Sequence, residues 1–97
     1  MCFPLSANRL KRGMIARRIR QQGRLCMICE QPLGDDVCID HIWPRAHGGR
    51  NIWENKALTH TACNRAKGEE LPSRDLLRRF KRWTGTRACK PKALLEP

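Results

Sequence analysis

Two pairs of soft metal ligands stand out in the chain, Cys26-x-x-Cys29 and His60-x-x-Cys63. Two intervening residues let both side chains of a tight turn face one tetrahedral ion. Four such ligands drawn from two distant turns make a closed, structural site, and Zn2+ is the expected ion. The ion would close a loop of more than thirty residues, where a clip restrains the chain most. A single Cys pair also reads as a redox couple. Two pairs, in a basic chain whose first residues show no apolar leader, favour zinc over disulfides. Cys2, Cys38 and Cys89 fall outside the set. Cys38 reads as a small buried residue of an apolar strand, and it is the substitute ligand if His60 is not one.

A second kind of chemistry resides in Asp40-His41, placed at the end of a short apolar run and before a loop containing Pro44 and Gly48-Gly49. A carboxylate beside an imidazole is costly to bury without partners. The same pair suits catalysis: the carboxylate can hold a hard cation, and the neutral imidazole can take a proton from water near pH 7. Adjacent strand residues point to opposite faces, so a local twist or the following loop must bring the two together. Asn64, next to Cys63, has two open readings. Its amide oxygen completes the cation site, or its side chain caps the helix that begins there.

The elements that must position these residues give an α+β fold class. A basic helix is expected over 6–22, capped by Ser6 and ended by Gly23, with Leu10, Met14, Ile15 and Ile19 as its apolar stripe. Residues 26–36 read as turns, 37–42 as a short strand and 55–59 as a second one. A helix should run from near Cys63 to near Gly68. A second basic helix spans 73–84, with Ser73 as cap and Gly85 as stop. It places Leu76, Leu77, Phe80 and Trp83 on one face. Residues 86–97 should be loose. The whole chain reads as one domain with its chemistry in 26–68, and Trp43 and Trp53 read as packing residues.

Charge narrows the partner. Twenty Lys and Arg face nine Asp and Glu, a net charge of +11, in a chain of 97 residues without tyrosine. So lean a core calls for a staple, and so large an excess of cations calls for a polyanion, nucleic acid before an anionic membrane surface. Residues 1–25 carry seven cations and no acid, and 74–92 carry eight against Asp75 alone. Arg17 and Arg18 on the first helix, with Arg45, Arg50, Arg65 and Lys67 near Asp40-His41, are expected at phosphates. For any one of them plain surface charge is the competing reading. Such contacts hold the backbone and carry little sequence information. No apolar run approaches membrane-spanning length, and an intracellular, cytoplasmic location is expected.

Taken together, Cys26-x-x-Cys29, Asp40-His41-Ile42-x-Pro44, Gly48-Gly49, Glu54-Asn55 and His60-x-x-Cys63-Asn64-Arg65-x-Lys67-Gly68 resemble the HNH endonuclease signature. The resemblance covers residues 26–68. It implies a ββα-metal core and metal-dependent hydrolysis of DNA phosphodiester bonds. In that pattern His41 is the general base, while Asp40 and Asn64 hold a catalytic divalent ion, Mg2+ or Mn2+ or Ni2+. Asn55 is the middle letter, which braces the hairpin loop and orients the base. Asparagine stands at Asn64 where the last histidine is usual, and His60 stands where many members have cysteine. Small free-standing members imply a phage or mobile-element setting in a bacterial host, with a larger assembly as a further partner. The alternative is a zinc-containing nucleic-acid-binding module without catalysis. A third reading, basic tails that bind RNA or a protein, explains the charge but not Asp40-His41.

Overall fold

The computed structural model describes residues 12–91. Residues 6–11 of the expected first helix, the stretch 92–97 of the expected tail, and Cys2 lie outside them. The order is α1 (Arg12–Gln21), β1 (Cys38–His41), β2 (Lys56–Thr59), α2 (Thr61–Lys67) and α3 (Arg74–Thr84), with short 3-10 turns at Arg45–His47 and Trp53–Asn55. The α+β expectation holds. Among the described residues no helix is long and apolar enough to cross a membrane.

β1 and β2 pair antiparallel, with Ile39 opposite Leu58 and Asp40 opposite Ala57. Alternation along each strand sends Ile39 and Leu58 to one face, where they meet Ile15 of α1, Cys26 and Leu33 in one apolar cluster. Cys38 and Asp40 take the other face, against α2. A second cluster joins Met27, Ile42, Trp43 and Ala57 to Leu76 and Phe80 of α3.

The caps explain why α3 matches its sequence reading. Ser73 Oγ accepts from the Leu76 amide at 3.1 Å, and Gly85 ends the helix at φ 74°, a conformation open to glycine. The start of α2 was harder to see. Asp36, 25 residues upstream, accepts from both the Thr61 amide (3.2 Å) and the Thr61 hydroxyl (2.6 Å). These bonds hold the Asp36 carboxyl below its ordinary range. Asn64 lies inside α2, its own amide bonded to the His60 carbonyl at 3.0 Å, so the capping reading of Asn64 does not hold.

Two long side chains lock α1 to the sheet and to α3. The Gln22 carboxamide donates to the Leu58 carbonyl (2.9 Å) and accepts from the Leu58 amide (2.8 Å). Arg18 is 7% exposed. Its guanidinium donates to the Trp53 carbonyl at 2.7 Å and lies over the rings of Trp53 and Phe80. The expectation that Arg18 faces a phosphate is therefore corrected. A planar cation stacks well on aromatic faces, and here two of them enclose it. Arg17 is exposed on the same helix. The tail also differs from expectation. Residues 86–91 have no helix or strand, yet Ala88 joins the second cluster and Pro91 is fully buried. Chain without regular structure is anchored there by apolar contact.

Candidate active site and metal centre

Cys26, Cys29, His60 and Cys63 converge as the spacing predicted, with all four ligand atoms within 4.8 Å of one another. The first pair sits on a tight turn closed by the Glu30 amide on the Cys26 carbonyl (3.0 Å), with Glu30 at φ 63°. Arg79 of α3 holds that turn from outside, donating to the Met27 carbonyl at 2.8 Å and pairing with Glu30 at 3.2 Å. Backbone amides of Ile28 and His60 both point at Cys26 Sγ at 3.4 Å. His60 Nε2 donates to the Pro32 carbonyl at 2.8 Å, so Nδ1 is left to ligate, 3.3 Å from Cys29 Sγ. The donor set fits a tetrahedral zinc. The Gln31 amide brings the Cys29 thiol down to about 7. Desolvation and the neighbouring sulfurs push Cys63 up to about 12. The thiols cannot all ionise together without a cation between them. Cys38 is fully buried and disulfide-bonded, outside this cluster. It is neither a spare thiol nor a substitute for His60.

A separate cleft of about 380 Å³ opens off the end of β1, bordered by Asp40, His41, Arg45, Asn51, Lys56 and Asn64. The strand ends at His41, so the residue facing α2 and the residue at the tip both reach the same space. Asp40 is 3% exposed. Its Oδ1 pairs with Lys67 Nζ at 3.3 Å, while its buried Oδ2 has no hydrogen-bond partner. Burial raises the Asp40 carboxyl above its ordinary value and Lys67 opposes the rise. An unsatisfied, buried carboxylate oxygen on a residue that borders the same cleft as Asn64 fits a hard cation. Asn64 is buried, and its Nδ2 donates to Cys38 Sγ at 3.0 Å.

His41 is half-buried, and its Nε2 lies 3.1 Å from Asn51 Oδ1. With an amide oxygen as its partner, Nε2 carries the proton and Nδ1 is the basic nitrogen. Desolvation lowers the His41 pKa, helped by the cations Lys56 and Arg45, and the Asn51 contact partly offsets it. The imidazole is thus neutral above the ordinary value near 6.5. If it is the base, the acid limb of the pH profile of cleavage should fall below pH 6.5. A limb at or above 6.5 in single-turnover rates would contradict that assignment.

Asn55 is fully buried and never touches the cleft. Its Oδ1 accepts from the Trp43 amide at 2.8 Å, and its Nδ2 donates to the carbonyls of Trp43 and Arg50, each at 2.9 Å. It fastens the two ends of the loop that follows His41. Gly49 serves the same loop, since a Cβ there would lie 1.7 Å from the Trp43 carbonyl oxygen. Replacing Asn55 with alanine leaves the two buried backbone groups of Trp43 unpaired and releases the Arg50 carbonyl. A loss of on the order of 3 kcal/mol is expected in chemical denaturation. The loss of activity should be smaller than that of His41→Ala, and an equal loss would place Asn55 among the reacting groups.

Of the other cations singled out in the sequence, Arg45, Arg50 and Arg65 are exposed around the cleft and on α2. Lys67 is turned inward to Asp40 and to the His41 carbonyl (3.0 Å). Asn51, Lys56 and Asp36 were missed. Only Asn51 had a signal, as a polar residue directly after Gly48-Gly49-Arg50 in a loop that starts at the candidate base.

A two-stranded sheet, a helix packed on the face that carries Asp40, and a Cys3His knuckle beside it define a ββα-type domain with a site compatible with zinc. Residues 26–70 match the family model of the HNH endonucleases. Over 43 residues, 44% of this chain, the sequence is 42% identical to the CRISPR-associated endonuclease Cas9 of Streptococcus mutans serotype c. The matched stretch spans 3% of that protein.

Proposed function

We propose that the domain is a metal-dependent endonuclease that hydrolyses DNA phosphodiester bonds, with His41 as general base. The observation that carries this reading is the cleft itself. It holds an imidazole whose Nε2 is fixed by Asn51, beside a buried carboxylate with a free oxygen and an amide on the facing helix.

In this reading His41 Nδ1 takes a proton from water as the water oxygen attacks phosphorus. The P–O bond to the leaving oxygen breaks, and the product carries a new phosphate monoester. Asp40 and Asn64 hold a divalent ion, which when bound supplies positive charge to the phosphoryl and leaving oxygens. Asn51 keeps the imidazole in the useful tautomer. Asn55 and Gly49 hold the loop so that His41 keeps its position. Cys26, Cys29, His60 and Cys63 hold a structural zinc. The exposed Arg45, Arg50, Arg65 and Arg17 bind phosphates along the duplex, a contribution that weakens steeply with salt.

The test is nicking of supercoiled plasmid by zinc-loaded protein with Mg2+, Mn2+ or Ni2+, beside Asp40→Ala. Metal-dependent nicking that Asp40→Ala abolishes supports the reading. Salt-sensitive DNA binding with no cleavage under any of the ions would overturn it in favour of a binding module.

A further inference from the structure

Asp40 is nearly closed to solvent, and the fold around it leaves Oδ2 without a hydrogen bond. Among the described residues its counter-charge is the Lys67 ammonium, from the last residue of α2, whose side chain is itself 7% exposed. The Nζ–Oδ1 separation of 3.3 Å is longer than the roughly 2.7–2.9 Å of a strong charge-assisted bond. The ammonium spends a second bond on the His41 carbonyl at 3.0 Å. Lys67 therefore bridges the carboxylate and the backbone of the base, and it does so loosely.

An ammonium on Oδ1 and a divalent ion on Oδ2 would repel each other across one small anion, and most strongly where water is scarce. The carboxylate is fixed on a strand, whereas Lys67 is a point charge on a flexible four-carbon stem. The side chain able to leave is the lysine. Its neighbours Gly68 and Glu69 border the cleft, and Lys67 itself lines an adjoining pocket with Cys63, Ala66 and Glu70, which gives the side chain open space away from the carboxylate.

We infer that Lys67 is an exchangeable counter-ion for Asp40. It neutralises the buried carboxylate before the divalent ion arrives, competes with that ion, and is released from the carboxylate when the ion binds. The sequence expectation of a phosphate-binding Lys67 and the inward Lys67 of the structure are then two positions of one side chain. Metal loading and the release of a mobile cation become linked. The inference rests on the reading that Asp40 holds the catalytic ion.

Two measurements on zinc-loaded protein test it. The first is Mn2+ titration by calorimetry of wild type, Lys67→Met and Asp40→Asn. Lys67→Met should bind Mn2+ about tenfold more tightly than wild type, within the usual range of coupling between two sites. The second needs no variant: wild type is acetylated with acetic anhydride, with and without Mn2+, and each lysine is followed by peptide mass spectrometry. Lys67 should label several-fold faster with Mn2+, while exposed Lys81 stays constant. Wild-type Mn2+ binding that Asp40→Asn removes, together with unchanged Lys67 labelling, overturns the inference and leaves the metal reading standing. Equal or weaker Mn2+ binding by folded Lys67→Met does the same. If wild-type binding does not depend on Asp40, the metal reading falls and the inference falls with it.

Discussion

His41→Ala should reduce single-turnover plasmid nicking by about 100- to 10,000-fold, the span ordinarily contributed by a positioned general base. Zinc content and thermal stability should barely change. The side chain is half-buried at the tip of β1, and its hydrogen bond among the described residues, to Asn51 Oδ1, is surface-exposed. Little of the fold depends on it. Loss of activity with full zinc and an unchanged melting curve therefore reports on chemistry and not on folding. Equal nicking by wild type and variant would mean that the base is elsewhere, and the assignment of the cleft would fail. Asn51→Ala makes a graded companion, because it removes the group that fixes the tautomer and leaves the nitrogen that reacts.

Asn51 also shows where sequence reading stops. The Cys3His cluster was legible because each pair is local: two residues separate its members, the spacing that a tetrahedral ion requires. Asp40-His41 was legible because the pair makes a poor core feature. The boundaries of α3 were legible because Ser73 and Gly85 act on their own helix. What stayed hidden depends on partners far along the chain. Arg79 holds the Met27 carbonyl across 52 residues, Arg18 holds the Trp53 carbonyl across 35, and Asp36 caps Thr61 across 25. A cation count cannot tell an arginine stacked between two rings from one facing a phosphate. For Arg18 the first outcome prevailed because Trp53 and Phe80 happen to enclose it.

Cys29→Ser should unfold the centre of the domain and release its zinc at neutral pH. Structural zinc sites of this size are worth on the order of 10 kcal/mol, comparable to the whole stability of a small domain. The knuckle binds the turn before β1 to the start of α2 and also anchors α3 through Arg79 and Glu30. Its loss should spread to both apolar clusters, since Cys26 packs in one and Met27 in the other. Far-ultraviolet circular dichroism with a colorimetric zinc assay reads both effects. A strong chelator should reproduce them in wild type. A fully folded, zinc-free variant would show that the four side chains converge without a structural ion.

A sheet of two strands has more edge than interior, and bare edges invite strands from other molecules. The Gln22 carboxamide meets that hazard at the middle of β2. By giving and taking one hydrogen bond at Leu58, it imitates the residue that a third strand would offer. A side chain of the same molecule thereby occupies the seat that a neighbouring chain would otherwise compete for. Copies of the domain brought close together would then meet through their charged surfaces, where repulsion keeps them apart, and not through the backbone of the hairpin that carries the cleft.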